Sequence, residues 1–205
     1  MDQTPRSESD LGTLRAERRR EPARRSRGIL PLVLVLLIAA ATAAGVGAWL
    51  LRRDDGGASK SEAAKPVAAT VADLEALATQ VAHPVYWAGE RPNTTYELTH
   101  IRDGRIYIRY LPSGTKVGAT GARYTTIGTY PKAGAYAQVL KAASEQGAKV
   151  YNTRTGALVV QSATSPTSVY FAFKGTPYLI EVFDPSAAKA LELALSGDVK
   201  LVPAG

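Results

Sequence analysis

The sequence predicts an α+β protein with a single N-terminal transmembrane helix and one extracytoplasmic domain of antiparallel sheet with about three helices. Three observations carry that expectation. Residues 28–51 hold no charged side chain. Beyond residue 67, short runs rich in Val, Ile, Tyr and Thr alternate with turns bearing Gly, Asp and Pro, the pattern of antiparallel hairpins. Three further stretches repeat apolar residues at helical spacing.

The apolar span comes first. A helix over GILPLVLVLLIAAATAAGVGAWLL rises about 36 Å, against a hydrocarbon core of about 30 Å. A cleaved signal peptide is the alternative, because Ala39 to Ala44 holds small-x-small triplets. Signal cores, however, stop after about 7–15 apolar residues, and this run continues through Val46, Trp49, Leu50 and Leu51. Trp49 stands where an indole suits the outer interface. The first 27 residues carry eight arginines and no lysine, whereas Arg52-Arg53 is followed at once by Asp54-Asp55. Such an excess belongs on the cytoplasmic side.

Four segments follow: a disordered Arg-rich cytoplasmic tail over 1–27, the transmembrane helix over 28–51, a flexible linker over 52–67 and the extracytoplasmic α+β domain over 68–205. The expected location is the cell membrane, single-pass, with the N-terminus in the cytoplasm. Net charge is +7 overall. Of this, eight bases against five acids before Ile29 give +3, and 13 against ten beyond Val67 give +3. The outer domain has no dense basic run, so a nucleic-acid partner is not expected. Cysteine is absent, which removes disulfides, thiol nucleophiles and thiolate zinc sites. A core alone must hold the domain, and about 138 residues suffice for one.

Within the domain, Thr70 and Asp73 form a capping-box pair ahead of Val71, Leu74, Ala78 and Val81 at helical spacing. Pro84 ends that helix, and Val85-Tyr86-Trp87 is a short strand. Thr94–Ile101 and Ile106–Leu111 flank Asp103-Gly104, the dipeptide of a type I′ hairpin turn. Pro112 to Gly121 is a Gly-rich loop, and Arg123–Tyr130 a strand stopped by Pro131. A second helix buries Tyr136, Val139, Leu140 and Ala143 and ends at Gly147. Lys149–Asn152 with Ala157–Ser162, then Val169–Phe173 with Tyr178–Phe183, form two more hairpins. Asp184-Pro185 starts the last helix, which buries Ala188, Leu191 and Leu195 and runs to Gly197. Val199–Val202 closes as an edge strand. Strands ending at Pro131 and at Pro185, each followed by a helix, suggest two duplicated strands-then-helix units about 53 residues apart. The alternative is chance similarity within an antiparallel chain.

HPVYWAGERPNTTYELT, PTSVYFAFKG and EVFDPS resemble motifs of an uncharacterised family of single-pass, membrane-anchored proteins from high-GC Gram-positive bacteria. The resemblance covers most of residues 71–202. It implies a shared fold and topology and carries no functional residue with it.

The candidate chemistry is sparse. Ser113/Lys116 and Ser186/Lys189 have the i, i+3 spacing of penicillin-binding proteins, but no SDN-type or KTG element accompanies them. His83 and His100 are the only histidines, too few for HExxH or a His-rich metal site. Glu97 and Glu181 lie on strands and could pair for glycan hydrolysis. No catalytic residue, metal site or cofactor is assigned. With a two-residue turn at Asp103-Gly104, Arg102 pairs Arg105, His100 pairs Tyr107 and Leu98 pairs Arg109. Tyr96, His100, Arg102, Arg105, Tyr107 and Arg109 then share one basic, aromatic face, a candidate site for sugars or anionic polymers, unless it is plain solvent face.

The expected function is that of a bitopic cell-envelope protein. Its partners are the lipid bilayer through residues 28–51 and, for the outer domain, an anionic wall polymer, glycan or envelope protein bound without catalysis. The alternatives are a small envelope hydrolase or transferase and, third, a signal transducer, which the short inner tail disfavours.

Overall fold

A computed structural model describes residues 64–205. The expected cytoplasmic tail and membrane span lie outside the described residues. Among those described, no helix is long and apolar enough to cross a membrane.

The chain forms β1 (Val67–Ala69), α1 (Val71–Gln80), β2 (Tyr86–Trp87), β3 (Thr94–His100), β4 (Ile106–Pro112), β5 (Thr126–Pro131), α2 (Ala135–Ala142), β6 (Lys149–Asn152), β7 (Ala157–Gln161), β8 (Ser168–Phe173), β9 (Tyr178–Phe183), α3 (Ala187–Ser196) and β10 (Lys200–Leu201). Eight strands make one antiparallel sheet in the order β1-β3-β4-β5-β9-β8-β7-β6, and β10 pairs with β2 in a separate ribbon. The described residues build the expected α+β arrangement of an antiparallel sheet with three helices. Val67, placed in the linker by its sequence, belongs instead to β1 and pairs with Leu98.

Alternation along the strands gives the sheet two buried faces. One carries Leu98, Ile106, Ile108, Ile127, Val159, Val169, Phe171, Ile180 and Val182, covered by α1, α3 and the β2–β10 ribbon. The ribbon is fixed to that face by hydrogen bonds. Thr129 Oγ1 accepts from the Tyr86 amide at 3.1 Å, and Tyr110 Oη accepts from the Ala88 amide at 2.6 Å. The opposite face carries Leu158, Val160, Tyr170, Ala172 and Leu179, against which α2 packs Ala135, Val139 and Ala142.

The capping box on α1 is present as its sequence requires: the Asp73 amide donates to Thr70 Oγ1, and Asp73 Oδ2 accepts from the Thr70 amide. Elsewhere the helices correct the pattern. Leu140 of α2 is exposed, and Ala135 and Ala142 are buried in its place, because small side chains let the helix approach the sheet. The N-cap of α3 is Ser186, two residues later than expected, with Asp184 accepting from the Ser186 amide at 2.8 Å. Ala190 and Ala194 face the core most directly, with Leu191 and Leu195 only partly buried beside them.

Strand order mirrors across the central β5–β9 pair, as a duplication would require. A two-fold axis between antiparallel neighbours stands perpendicular to the sheet and keeps both helices on one face. Here α2 and α3 lie on opposite faces. The strand order fits the expected duplication, and the placement of the helices does not.

Candidate functional site

The basic, aromatic hairpin face depends on the register of β3 and β4, and the register is shifted by one residue. His100 pairs Ile106, Leu98 pairs Ile108 and Tyr96 pairs Tyr110. The connection is a turn over Ile101–Gly104, closed by Gly104 N–H donating to the Ile101 carbonyl at 2.9 Å. Gly104 alone takes positive φ, at 86°, whereas a type I′ turn would need it at Asp103 too. A one-residue slip exchanges the faces of a strand. Tyr96 and His100 therefore project to the face of Ile106 and Ile108, while Tyr107 and Arg109 project to the other.

The six residues do not form one surface. Tyr96, Tyr107 and Arg109 are buried. Tyr96 lies edge-on to Tyr110 and accepts from the Arg91 amide at 2.8 Å. His100 and Arg102 are exposed, and Arg105 binds Asp103 within the turn at 2.8 Å.

What that side of the sheet holds instead is two buried acids. Arg109 donates to Glu97 Oε1 at 2.5 Å and to the Ala119 carbonyl at 2.9 Å, and its guanidinium lies 5.1 Å from the Tyr124 ring centre. The second oxygen of Glu97 accepts from the Gly118 amide at 2.6 Å. This buried ion pair thereby fastens the Gly-rich loop across the sheet. Glu181 forms no ion pair among the described residues. It accepts from the Tyr130 hydroxyl, from Ser168 Oγ at 2.8 Å and from Tyr170 Oη at 3.0 Å. Burial pushes the Glu181 carboxyl above its ordinary value, against the three hydroxyls that favour its charge. Burial beside that carboxylate likewise holds the Tyr130 and Tyr170 hydroxyls well above the usual phenol range.

Glu97 on β3 and Glu181 on β9 are three strand positions apart, about 14 Å at the usual spacing. That exceeds the about 5–9.5 Å between working glycosidase carboxylates. Ser186 Oγ caps α3 by accepting from the Lys189 amide at 3.4 Å, and Ser113 and Lys116 are exposed on a loop. No group of three or more His, Cys, Asp or Glu among the described residues could hold a metal ion. A polar hollow of about 290 Å³ joins Asp184, Glu192 and Asp198 with Arg91 and Lys189, so its charges offset one another.

The concavity with the better chemistry lies elsewhere, where the β6–β7 turn, the end of α3 and β10 meet. It has a volume of about 560 Å³. Tyr86, Ala157, Phe173, Ala194, Val199 and Leu201 supply apolar lining, and Arg154 and Lys200 supply charge. The Tyr86 and Phe173 rings stack with centres 6.2 Å apart and planes 16° off parallel. Thr153, Thr155, Thr176 and Ser196 contribute hydroxyls; the lining contains neither carboxylate nor histidine. Sequence reasoning missed this groove. It read Thr153–Gly156 only as a turn and Lys200-Leu201 only as an edge, and no local signal joins those segments to β2 and α3.

Comparison with protein-family models, with curated proteins and with solved structures finds no match to this chain.

Proposed function

We propose that this is a single-pass protein of the cell membrane whose outer domain binds an envelope component without catalysis, and that the groove between β10, the β6–β7 turn and the end of α3 is the binding site. The groove carries the reading. Its volume of about 560 Å³ and mostly apolar lining with a few polar groups are the attributes of a preformed ligand site. The uncharged span over residues 28–51 supports the membrane location, and the arginines before it support the orientation. The rival, a small envelope hydrolase or transferase, would need a nucleophile with an activating partner at such a groove. The hydroxyls that line it have no carboxylate or histidine beside them in the lining.

The test has two arms. An alkaline-phosphatase fusion after Gly205 should be active and sediment with membranes; an inactive or released fusion overturns the topology. A photoreactive benzoylphenylalanine at Leu201 or Thr155 should give light-dependent adducts in intact cells. The same probe at Leu140, exposed on the other face, should not. Adducts equal at all three positions would place binding elsewhere.

A further inference from the structure

We infer that the groove accepts an anionic amphiphile, an acyl chain along its apolar floor with a phosphate or carboxylate head held by Arg154 and Lys200. The inference deepens the binding reading above and rests on it.

Charge points to the sign of the ligand. Arg154 and Lys200 are both exposed, both line the groove, and neither forms an ion pair among the described residues. No acid in the lining opposes them. Two cations left unopposed at the mouth of a low-dielectric hollow favour an anion there, through charge-assisted hydrogen bonds. The threonines are less available, because Thr153 and Thr155 already bond each other at 2.8 Å.

The floor points to the other end of the ligand. Ala157, Ala194 and Val199 are small, and they leave depth beside the stacked Tyr86 and Phe173 rings. Leu201 is 51% exposed at the edge of that hollow, next to Lys200. An alkyl chain would cover it, whereas a charged polymer or a glycan would leave the aliphatic part of the floor wet. The source is the membrane that anchors the chain. Residues 52–63, whatever their conformation, span at most about 40 Å, so the domain stays within reach of the lipid head groups beyond Leu51.

The full-length chain in phosphatidylcholine nanodiscs provides the test, with 11-(dansylamino)undecanoic acid as fluorescent reporter. Dodecyl phosphate below its micellar concentration should displace the reporter. Decyl phosphate should do so about tenfold less well, since two methylenes are lost. Dodecyl maltoside and inorganic phosphate should fail, the first for want of charge and the second for want of a chain. Arg154→Gln with Lys200→Gln, at two exposed positions, should weaken dodecyl phosphate about tenfold, and Leu201→Asp should weaken the reporter itself. Equal displacement by the maltoside, displacement by inorganic phosphate, or indifference to all three substitutions would each overturn the inference. If no amphiphile displaces the reporter while Leu201 adducts still form in cells, the groove binds something else and only the lipid assignment fails. A polypeptide in that adduct would assign the groove to a protein partner. If adducts and displacement are both absent, the binding reading fails with it.

Discussion

Glu97 and Glu181 are buried on the same face of the same sheet, and the fold satisfies them by opposite means. Glu97 has a guanidinium, a backbone amide and a loop that closes over both. Glu181 is held by three hydroxyls, with no ion pair among the described residues. The first arrangement stabilises an ion and depends on its partner being present. The second favours the carboxylate but can also hold the neutral acid, because a hydroxyl both donates and accepts. The contrast separates a fastening, which holds the Gly-rich loop down, from a filler, which closes the polar gap between β5, β8 and β9.

The largest effect should come from breaking the fastening on one side. Arg109→Met leaves Glu97 buried beside a thioether and should destabilise the domain by about 3–5 kcal/mol. Chemical denaturation measures it. Adding Glu97→Leu should recover most of that loss, because a buried ion pair exchanged for apolar groups is close to neutral. Loop residues 113–124 should then become protease-sensitive, since Gly118 and Ala119 lose their anchors. A double variant as unstable as the single one would mean that the pair stabilises in its own right.

The filler should break more gently, through its neighbour. Gly128 stands opposite Glu181 in the register, and a Cβ there would meet the Tyr130 ring at 2.8 Å. Tyr130 reaches Glu181 by folding across the space that Gly128 leaves open. Gly128→Ala should displace that ring and cost about 1–3 kcal/mol in thermal or urea unfolding. An unchanged midpoint would show that the ring has another place to go.

These two sites also mark how much of the molecule the sequence reveals. The capping box at Thr70/Asp73 was legible because its hydrogen bonds close within four residues. Strand positions were legible because alternation and turn residues are local as well. The register of β3 and β4 was not, since it depends on φ at Asp103, and Asp-Gly suits both a two-residue turn and a longer one with glycine last. That single residue moved Arg109 from an expected binding surface into a buried ion pair. The face of α2 was misread because a sheet packed close selects Ala135 and Ala142 over the bulkier Leu140. The groove gave no local sign, because it assembles residues 86, 153–157, 173–176 and 194–201 from four separate stretches.

A pH series sharpens the comparison further. Burial raises the Glu181 carboxyl above its ordinary 4.5 in the folded protein, so the folded state holds that proton more tightly than the unfolded chain does. Stability from this group is full below about pH 4.5 and is lost as pH rises through the raised folded value. Urea unfolding of the parent and of Glu181→Gln should show the parent losing ground as pH climbs. The difference should flatten on the acid side. A parent that instead gains on the variant as pH rises would mean that the hydroxyl cage prefers the carboxylate, outweighing burial.

The smallest effect belongs to the same chemistry brought to the surface. Arg105 and Asp103 form an ion pair at 2.8 Å, with side chains 34% and 25% exposed. Arg105 Nε donates to the same carboxylate at 2.9 Å. On geometry alone this pair rivals Arg109 with Glu97. The difference is water, which solvates both partners when the bond opens and screens them while it is closed. Arg105→Gln should therefore cost under about 1 kcal/mol, several times less than Arg109→Met. Much of that small cost should vanish at 1 M salt, where the screening length falls to about 3 Å, whereas the cost at Arg109 should persist. The hairpin should keep its shifted register, because the turn is closed by backbone hydrogen bonds, including Ile101 N–H donating to the Arg105 carbonyl, and not by the arginine side chain. Should Arg105→Gln cost as much as Arg109→Met, the turn pair rather than the buried pair would be what holds β3 and β4 in their register.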